Sequence, residues 1–135
     1  MTVSGCPVFL VDDDDGSRSA LMFLLEAEGF AVQAYCRPEQ LLNQGEILWN
    51  GCLVTDYNMP GMNGLELVSA FRGKGIFMPA ILATGDPNRT VRDRAAAANI
   101  PIIDKLNAAN KLAGQIEREM KAQVPRVPER PLRDR

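Results

Sequence analysis

Four short hydrophobic runs in this chain are each followed at once by polar side chains of the kind that handle metal ions and phosphate. The runs begin at Val8, Cys52, Ala80 and Pro101. Short apolar runs predict buried strands, and neighbouring parallel strands bring the residues that follow them to one edge of a sheet. We therefore expect five side chains to gather at that edge: Asp12, Asp13, Asp56, Thr84 and Lys105.

The segments between these runs have the hydrophobic spacing of helices, and this alternation predicts an α/β fold around a parallel sheet. Residues 31–35 alternate like a further strand. Right-handed crossovers favour a (βα)5, flavodoxin-like, doubly wound sheet with strand order 2-1-3-4-5. Pro38 suits the first turn of a helix. Asp86 and Pro87 are expected to cap and begin a later helix, which should end at Asn99 because asparagine tolerates a positive φ.

The length of 135 residues is enough for one domain with a substantial core. We predict that this domain comprises residues 1–122. Residues 123–135 are expected to form a disordered, solvated tail, because Pro125, Pro128 and Pro131 prevent a helix there.

Composition limits the classes of partner and the cellular location that we expect. The formal charge of −2 and the lack of a long apolar stretch argue against nucleic acid or a membrane as a direct partner. No secretory signal is visible at the N-terminus. Cys6, Cys36 and Cys52 lack zinc-site spacing, and Cys6 and Cys52 lie beside predicted strands, so we expect buried, reduced thiols. These features predict a cytoplasmic location.

The acidic residues favour a magnesium site. The sequence contains no histidine, so a metal site would be built from carboxylates. Mg²⁺ prefers oxygen ligands and keeps several waters. Asp12 and Asp13 should point in different directions, so that one binds directly and the other acts through water or a neighbouring contact. Two like charges ~4 Å apart at an effective dielectric constant of ~20 repel by roughly 4 kcal/mol, so the cluster predicts a bound cation.

Asp56 is a candidate nucleophile toward phosphorus, because a carboxylate can form an aspartyl phosphate. Thr84 and Lys105 would hold the transferred oxygens, and Gly85 would leave room for a phosphoryl group and offer its amide. Taken singly, these residues are also typical of turns, helix caps and solvated surfaces. Their joint placement, each after its own predicted strand, favours a phosphoryl-transfer site.

From about residue 8 to residue 120 the chain resembles the receiver domain of bacterial two-component response regulators. The residues that carry the resemblance are 10–13, 54–64, 83–85 and Lys105. The resemblance implies a protein that takes a phosphoryl group from the phosphohistidine of a sensor histidine kinase or a phosphotransfer protein. It also implies signalling through contacts with a downstream protein target, and it leaves a homodimer through helix 1, 4 or 5 open.

The resemblance also implies residue roles. Asp56 would be the phosphoacceptor, Lys105 would pair with the phosphate, and Thr84 would move onto the phosphoryl oxygens as the switch. The Mg²⁺ site would comprise Asp12 through water and, directly, Asp13, Asp56 and the backbone carbonyl of Asn58.

Two further positions, Asn58 and Asp86, flank the hydrolytic water in this family. Both are small and polar here, which predicts a short-lived phospho-form. The expected activity is limited to self-phosphorylation, from phosphohistidine or small phosphodonors, and autodephosphorylation, without turnover of other external substrates.

Two positions depart from the family pattern. Leu106 follows the lysine where the family usually has proline, so a cis X–Pro bond is not available. Ile102 stands where the family usually has a tyrosine or phenylalanine that swings inward on phosphorylation. We therefore expect the phosphoryl chemistry to survive and the output coupling to be atypical.

Three alternatives remain at this point. The chain could be a receiver excised from a longer regulator rather than a single-domain one. It could be a pseudo-receiver that binds a partner without phosphorylation, although the complete set of site residues argues against this. A phosphohydrolase of the haloacid dehalogenase kind is disfavoured, because Asp56-Tyr57-Asn58 lacks the second aspartate of that motif.

Overall fold

The computed structural model describes residues 7–44 and 50–123, and in these residues five parallel strands form one sheet. The strands are β1 Pro7–Val11, β2 Ala31–Tyr35, β3 Cys52–Thr55, β4 Ala80–Thr84 and β5 Ile102–Asp104. Their order is β2-β1-β3-β4-β5, which confirms the predicted flavodoxin-like topology.

Helices follow the strands in alternation, as the hydrophobic spacing predicted. They are α1 Asp15–Ala27, α2 Pro38–Leu42, α3 Gly64–Gly73, α4 Arg89–Ala97 and α5 Ala108–Gln123, with a 3-10 turn at Lys105–Asn107. Side-chain caps explain where three of them begin. Asp14 accepts a hydrogen bond from the Ser17 amide, and Asn63 caps α3 through the Glu66 amide. The third cap belongs to α4.

The predicted start of α4 at Asp86 and Pro87 is wrong. The helix begins at Arg89, because the Asn88 side chain accepts from the Val91 amide at 3.0 Å and serves as the cap. Asp86 instead takes part in a turn, in which its carbonyl accepts from the Asn88 amide at 2.8 Å. The predicted end is confirmed, since Asn99 has a φ of 63°.

The sheet separates two hydrophobic layers. Phe9 and Leu53 point toward α2, α3 and α4, whereas Leu10 and Val54 point toward α1 and α5. Each side chain is at most 1% exposed, so the central strands are buried on both faces. This packing fixes the strand ends on which the polar side chains stand.

Two of the cysteines lie in the described residues, and both are free thiols. Cys52 is buried, as predicted, and burial raises the pKa of its thiol. Cys36 is partly exposed, which corrects the expectation that the thiols are buried. Cys6 lies outside the described residues. Of the predicted tail, residues 123–135, only Gln123 is described, and it is the last residue of α5 rather than part of a tail.

Across residues 7–44 and 50–123, no helix combines the length and the apolar character that crossing a membrane requires.

Gly64, the first residue of α3, allows the helix to approach the end of β3. A β-carbon at this position would overlap the carbonyl oxygen of Asp56 and would lie 2.8 Å from a methyl group of Leu82. The Gly64 amide also donates to the Tyr57 carbonyl at 2.9 Å. The absence of a side chain therefore sets the position of the loop that follows Asp56.

Gly64→Ala is expected to lower the free energy of unfolding by about 1–3 kcal/mol, the usual cost of forcing an atom into a packed site. Urea unfolding would measure the change. Gly73→Ala is the matched control in the same helix, because a β-carbon there would meet nothing within 4 Å. The control should be neutral or slightly stabilising, and an equal loss in both variants would contradict the steric argument.

Candidate functional site

The structure brings all five predicted side chains to the carboxyl edge of the sheet. Strand pairing aligns the ends, since Val11 is in register with Thr55 and Thr84 with Asp104. The Asp56 amide donates to the Val11 carbonyl at 3.0 Å, which extends the pairing by one residue. The side chains that follow the strands consequently lie together at one edge of the sheet. We call this edge the rim; its residues are Asp12, Asp13, Asp56, Thr84 and Lys105.

The three carboxylates of this rim lie close together. Asp12, Asp13 and Asp56 each offer an oxygen, and these oxygens lie within 4.8 Å of one another. The Asp12 side chain is fully buried, that of Asp56 is 12% exposed, and Asp13 is exposed. The different directions expected for Asp12 and Asp13 are thus observed.

Lys105 joins two of the carboxylates. Its ammonium lies 2.8 Å from Asp12 Oδ2 and 3.1 Å from Asp56 Oδ2. The side chain is 19% exposed, so these pairs are partly shielded from water. Lys105 therefore links the residue after β5 to the residues after β1 and β3.

Protein donors surround the Asp12 carboxylate. Its Oδ1 accepts from the Asp14 amide at 3.0 Å, and its Oδ2 accepts from the Ser17 hydroxyl at 2.6 Å as well as from Lys105. The Arg18 guanidinium donates to the Asp12 carbonyl at 2.9 Å. With both oxygens engaged, Asp12 is suited to act on a cation indirectly.

Ser17 and Arg18 were missed by the sequence analysis. Both lie in the first turn of α1, which begins directly after the run of aspartates and therefore stands over the end of β1. The Arg18 amide bonds the Asp14 carbonyl at 2.8 Å, which fixes the turn. A predicted helix start at Asp15 would have placed Ser17 and Arg18 near the end of β1, but it would not have shown that both contact Asp12.

The charges of the rim do not balance, because one ammonium faces three carboxylates. Burial raises the pKa of Asp56 above its ordinary value, and the attraction of Lys105 only partly opposes this shift. Burial lowers the pKa of Lys105, but its hydrogen bond to Asp12 and the charges of Asp56 and Asp12 outweigh burial, so the net shift is upward. The upward shift of the Lys105 pKa reflects the negative charge around it, whereas that of the Asp56 pKa reflects burial first and the charge of Asp12 only secondarily.

Thr84 lies at the end of β4 with 1% of its surface exposed. Its hydroxyl accepts from the Asp86 amide at 3.2 Å. The adjacent Gly85 is exposed, and a β-carbon there would meet nothing within 4 Å, so there is space beside the hydroxyl. Asn58 and Asp86 are both exposed on the loops of this rim.

Comparison with known proteins agrees with this geometry. A family model described as the response regulator receiver domain matches residues 8–117. The chain belongs to this family. The resemblance proposed from the sequence is therefore confirmed.

The relatives of this receiver domain include longer proteins. Transcriptional regulatory protein FixJ of Azorhizobium caulinodans is 44% identical over 79 residues, which are 58% of this chain and 37% of that protein. An uncharacterised 14.6 kDa protein from the sodA1 3′ region of Leptolyngbya boryana is 36% identical over 98 residues, or 71% of this chain and 73% of that one. The receiver domain spans only 37% to 41% of the FixJ proteins that it matches.

Solved structures give the same result for the fold. A crystal structure of FixJ-N superposes with a TM-score of 0.81 at 32% identity, covering 88% of this chain and 96% of that one. A crystal structure of Vibrio cholerae chemotaxis protein CheY4 superposes with a TM-score of 0.74 at 22% identity, covering 84% of this chain and 98% of that one.

The atypical positions of this receiver domain lie around Lys105. Ile102 is partly buried and packs against the core layer of α2, α3 and α4. Leu106 is 88% exposed in the 3-10 turn. The Asp104 carboxylate accepts from the Leu106 amide at 3.0 Å and caps this turn. Asp104, which sequence analysis also missed, therefore helps to fix the connection that presents Lys105, and its cap position was the available signal.

The donor set fits magnesium, because carboxylate oxygens are hard ligands and the exposed side of Asp13 leaves room for water. The coarse prediction of an acidic pocket suited to Mg²⁺ therefore agrees with the structure.

Asp56→Asn is expected to raise the free energy of unfolding by roughly 1 kcal/mol at neutral pH in a chelator, because Lys105 is shared with Asp12 and a partly compensated charge is costly to bury. A carboxyl whose folded pKa is raised binds its proton more tightly when folded, so ionisation costs stability as the pH rises through that pKa. The gap between variant and wild type should shrink as the pH falls and the wild-type carboxyl becomes protonated.

Urea unfolding at a series of pH values with EDTA would measure this gap. Added Mg²⁺ should also narrow it, because an ion that binds the folded wild type stabilises it. A less stable Asp56→Asn variant at neutral pH would mean that the ion pair with Lys105 outweighs burial.

Proposed function

We propose that this receiver domain accepts a phosphoryl group on Asp56 from the phosphohistidine of a sensor histidine kinase or a phosphotransfer protein. The observation that carries the proposal is the position of the Asp56 carboxylate. It lies at the rim beside the Lys105 ammonium at 3.1 Å, with oxygens of Asp12 and Asp13 within 4.8 Å.

In the transfer, an oxygen of Asp56 attacks phosphorus and forms the new O–P bond. The N–P bond of the phosphohistidine breaks, and the histidine nitrogen keeps the electron pair. Bound Mg²⁺, held by Asp13, Asp56 and the Asn58 carbonyl with Asp12 acting through water, would supply charge neutralisation. Asp12 and its donors keep the rim in a fixed geometry throughout.

The remaining residues act on the product. Lys105 can exchange its bond to Asp56 for one to a phosphoryl oxygen, because its ammonium carries several donors. Thr84 can turn its hydroxyl proton toward the phosphoryl group, and no side chain at Gly85 obstructs that approach. Phosphorylation would thereby draw the Thr84 hydroxyl onto the phosphoryl oxygens and act as the switch.

We further propose that the phosphorylated domain signals by binding a protein target. Transcriptional regulation, which the FixJ proteins are named for, is an activity of proteins of which this chain spans only 37% to 41%, so we do not extend it to this chain. Ile102 and Leu106 support an output that differs from the usual one, because the aromatic side chain and the proline of the family pattern are absent at these positions.

Incubation with acetyl phosphate and Mg²⁺ is expected to give one phosphoryl adduct, detected by intact-protein mass. Asp56→Asn and a chelator should each abolish the adduct, because they remove the nucleophile and the cation. Asp93→Asn is the matched control, since this exposed aspartate lies on α4 away from the rim. No adduct on the intact wild type would favour a phosphorylation-independent binding module instead.

The phospho-form is expected to be short-lived, because Asn58 and Asp86 are small, polar and exposed and do not shield the acyl phosphate from water. The decay of the adduct mass after removal of the phosphodonor would give the lifetime. Asn58→Met should lengthen the lifetime by covering the acyl phosphate. A wild-type adduct that persists for many hours would contradict this argument.

A further inference from the structure

Tyr57, the residue after Asp56, connects the rim with helix α4. Its side chain is 8% exposed and belongs to the core layer of α2, α3 and α4. Its hydroxyl accepts from the Arg94 guanidinium of α4 at 2.8 Å, and the Asn63 amide group lies within 3.5 Å of the same oxygen. A contact between residues 37 positions apart thus ends one residue away from the acceptor.

The backbone of Tyr57 is fixed at both ends. Its amide donates to Asp56 Oδ1 at 2.8 Å, and its carbonyl accepts from the Gly64 amide at 2.9 Å. The phenol ring is rigid, so a shift of the Tyr57 backbone would move the hydroxyl relative to Arg94. Asp56, the start of α3 and the middle of α4 are therefore all hydrogen-bonded to one residue, Tyr57.

We infer that the Tyr57–Arg94 hydrogen bond couples the state of the Asp56 carboxylate to helix α4. This inference rests on the proposed phosphorylation of Asp56. The Tyr57 amide bonds an ionised carboxylate, and a hydrogen bond to an ionised partner is roughly twice as strong as one between neutral groups. Formation of the acyl phosphate would reduce the negative charge on the carboxyl oxygens of Asp56, weaken this hydrogen bond and let the Tyr57 segment shift against Arg94.

The Tyr57–Arg94 hydrogen bond matters because Ile102 cannot make a hydrogen bond of this kind. Ile102 packs against the same core layer as Tyr57 but carries no hydroxyl. The tyrosine hydroxyl that reaches α4 comes instead from the loop after β3. Arg94 is exposed, so a partner on α4 can reach it. Because coupling between two sites is reciprocal, a partner that engages Arg94 should also change the phosphorylation equilibrium of Asp56.

The test follows amide hydrogen exchange in α4 with and without acetyl phosphate and Mg²⁺, together with the intact mass of the same samples. In the wild type, phosphorylation should change exchange in α4. Tyr57→Phe and Arg94→Ala should still take the phosphoryl adduct but lose that change. Arg94→Lys, which keeps a donor, should restore part of it.

Arg92→Ala is the matched control on the same helix. Arg92 is exposed and donates to the Pro87 carbonyl at 2.8 Å, and this variant should keep the full response of α4. Phosphorylated Tyr57→Phe and Arg94→Ala proteins with a wild-type response would overturn the inference, as would a phosphorylated wild type without any change in α4.

A second measurement does not require phosphorylation. The shifts in urea midpoint caused by Asp56→Asn and Arg94→Ala should not add in the double variant, because both act through Tyr57. The same cycle with Arg92→Ala should be additive. If the wild type takes no adduct, the proposed function fails while this cycle still decides the coupling. Additive shifts for Asp56 and Arg94 would overturn the inference.

Discussion

The rim of this receiver domain depends on one ammonium group that serves two carboxylates. Lys105 ties the end of β5 to the ends of β1 and β3 through Asp12 and Asp56. Removing the ammonium would leave both carboxylates uncompensated, which costs more than either ion pair itself contributes. The lysine cannot neutralise all three acids, so the same contact that orders the rim leaves it attractive to a cation.

The two neighbouring aspartates, Asp12 and Asp13, differ in burial and in hydrogen bonding. Asp12 is fully buried and engaged by Asp14, Ser17 and Lys105, so its oxygens have fixed directions. Asp13 is exposed to solvent. The arrangement follows from side-chain alternation at the end of β1, and α1 completes it by placing donors above the strand. Local chain geometry thus produces one rigid and one accessible carboxylate.

The sheet and the rim could be predicted from sequence because both depend on local patterns. Short apolar runs mark the strands, and parallel pairing brings the next residues together. The start of α4 was mispredicted because Asp86 and Asn88 are both good caps, and only the folded chain decides between them. The bond between Tyr57 and Arg94 could not be foreseen, since it depends on how two distant elements pack.

Ile102 and Leu106 differ from Tyr57 in the contacts that their side chains can make. An isoleucine packed into the core can transmit a change in volume but cannot form or break a hydrogen bond. Leu106 lies outside the core and constrains nothing beneath it. Tyr57, in contrast, has a buried ring, a backbone bonded to Asp56 and a hydroxyl bonded to an exposed arginine. The Asp56 carboxylate is therefore connected to α4 through the hydrogen bonds of one residue in the loop after β3.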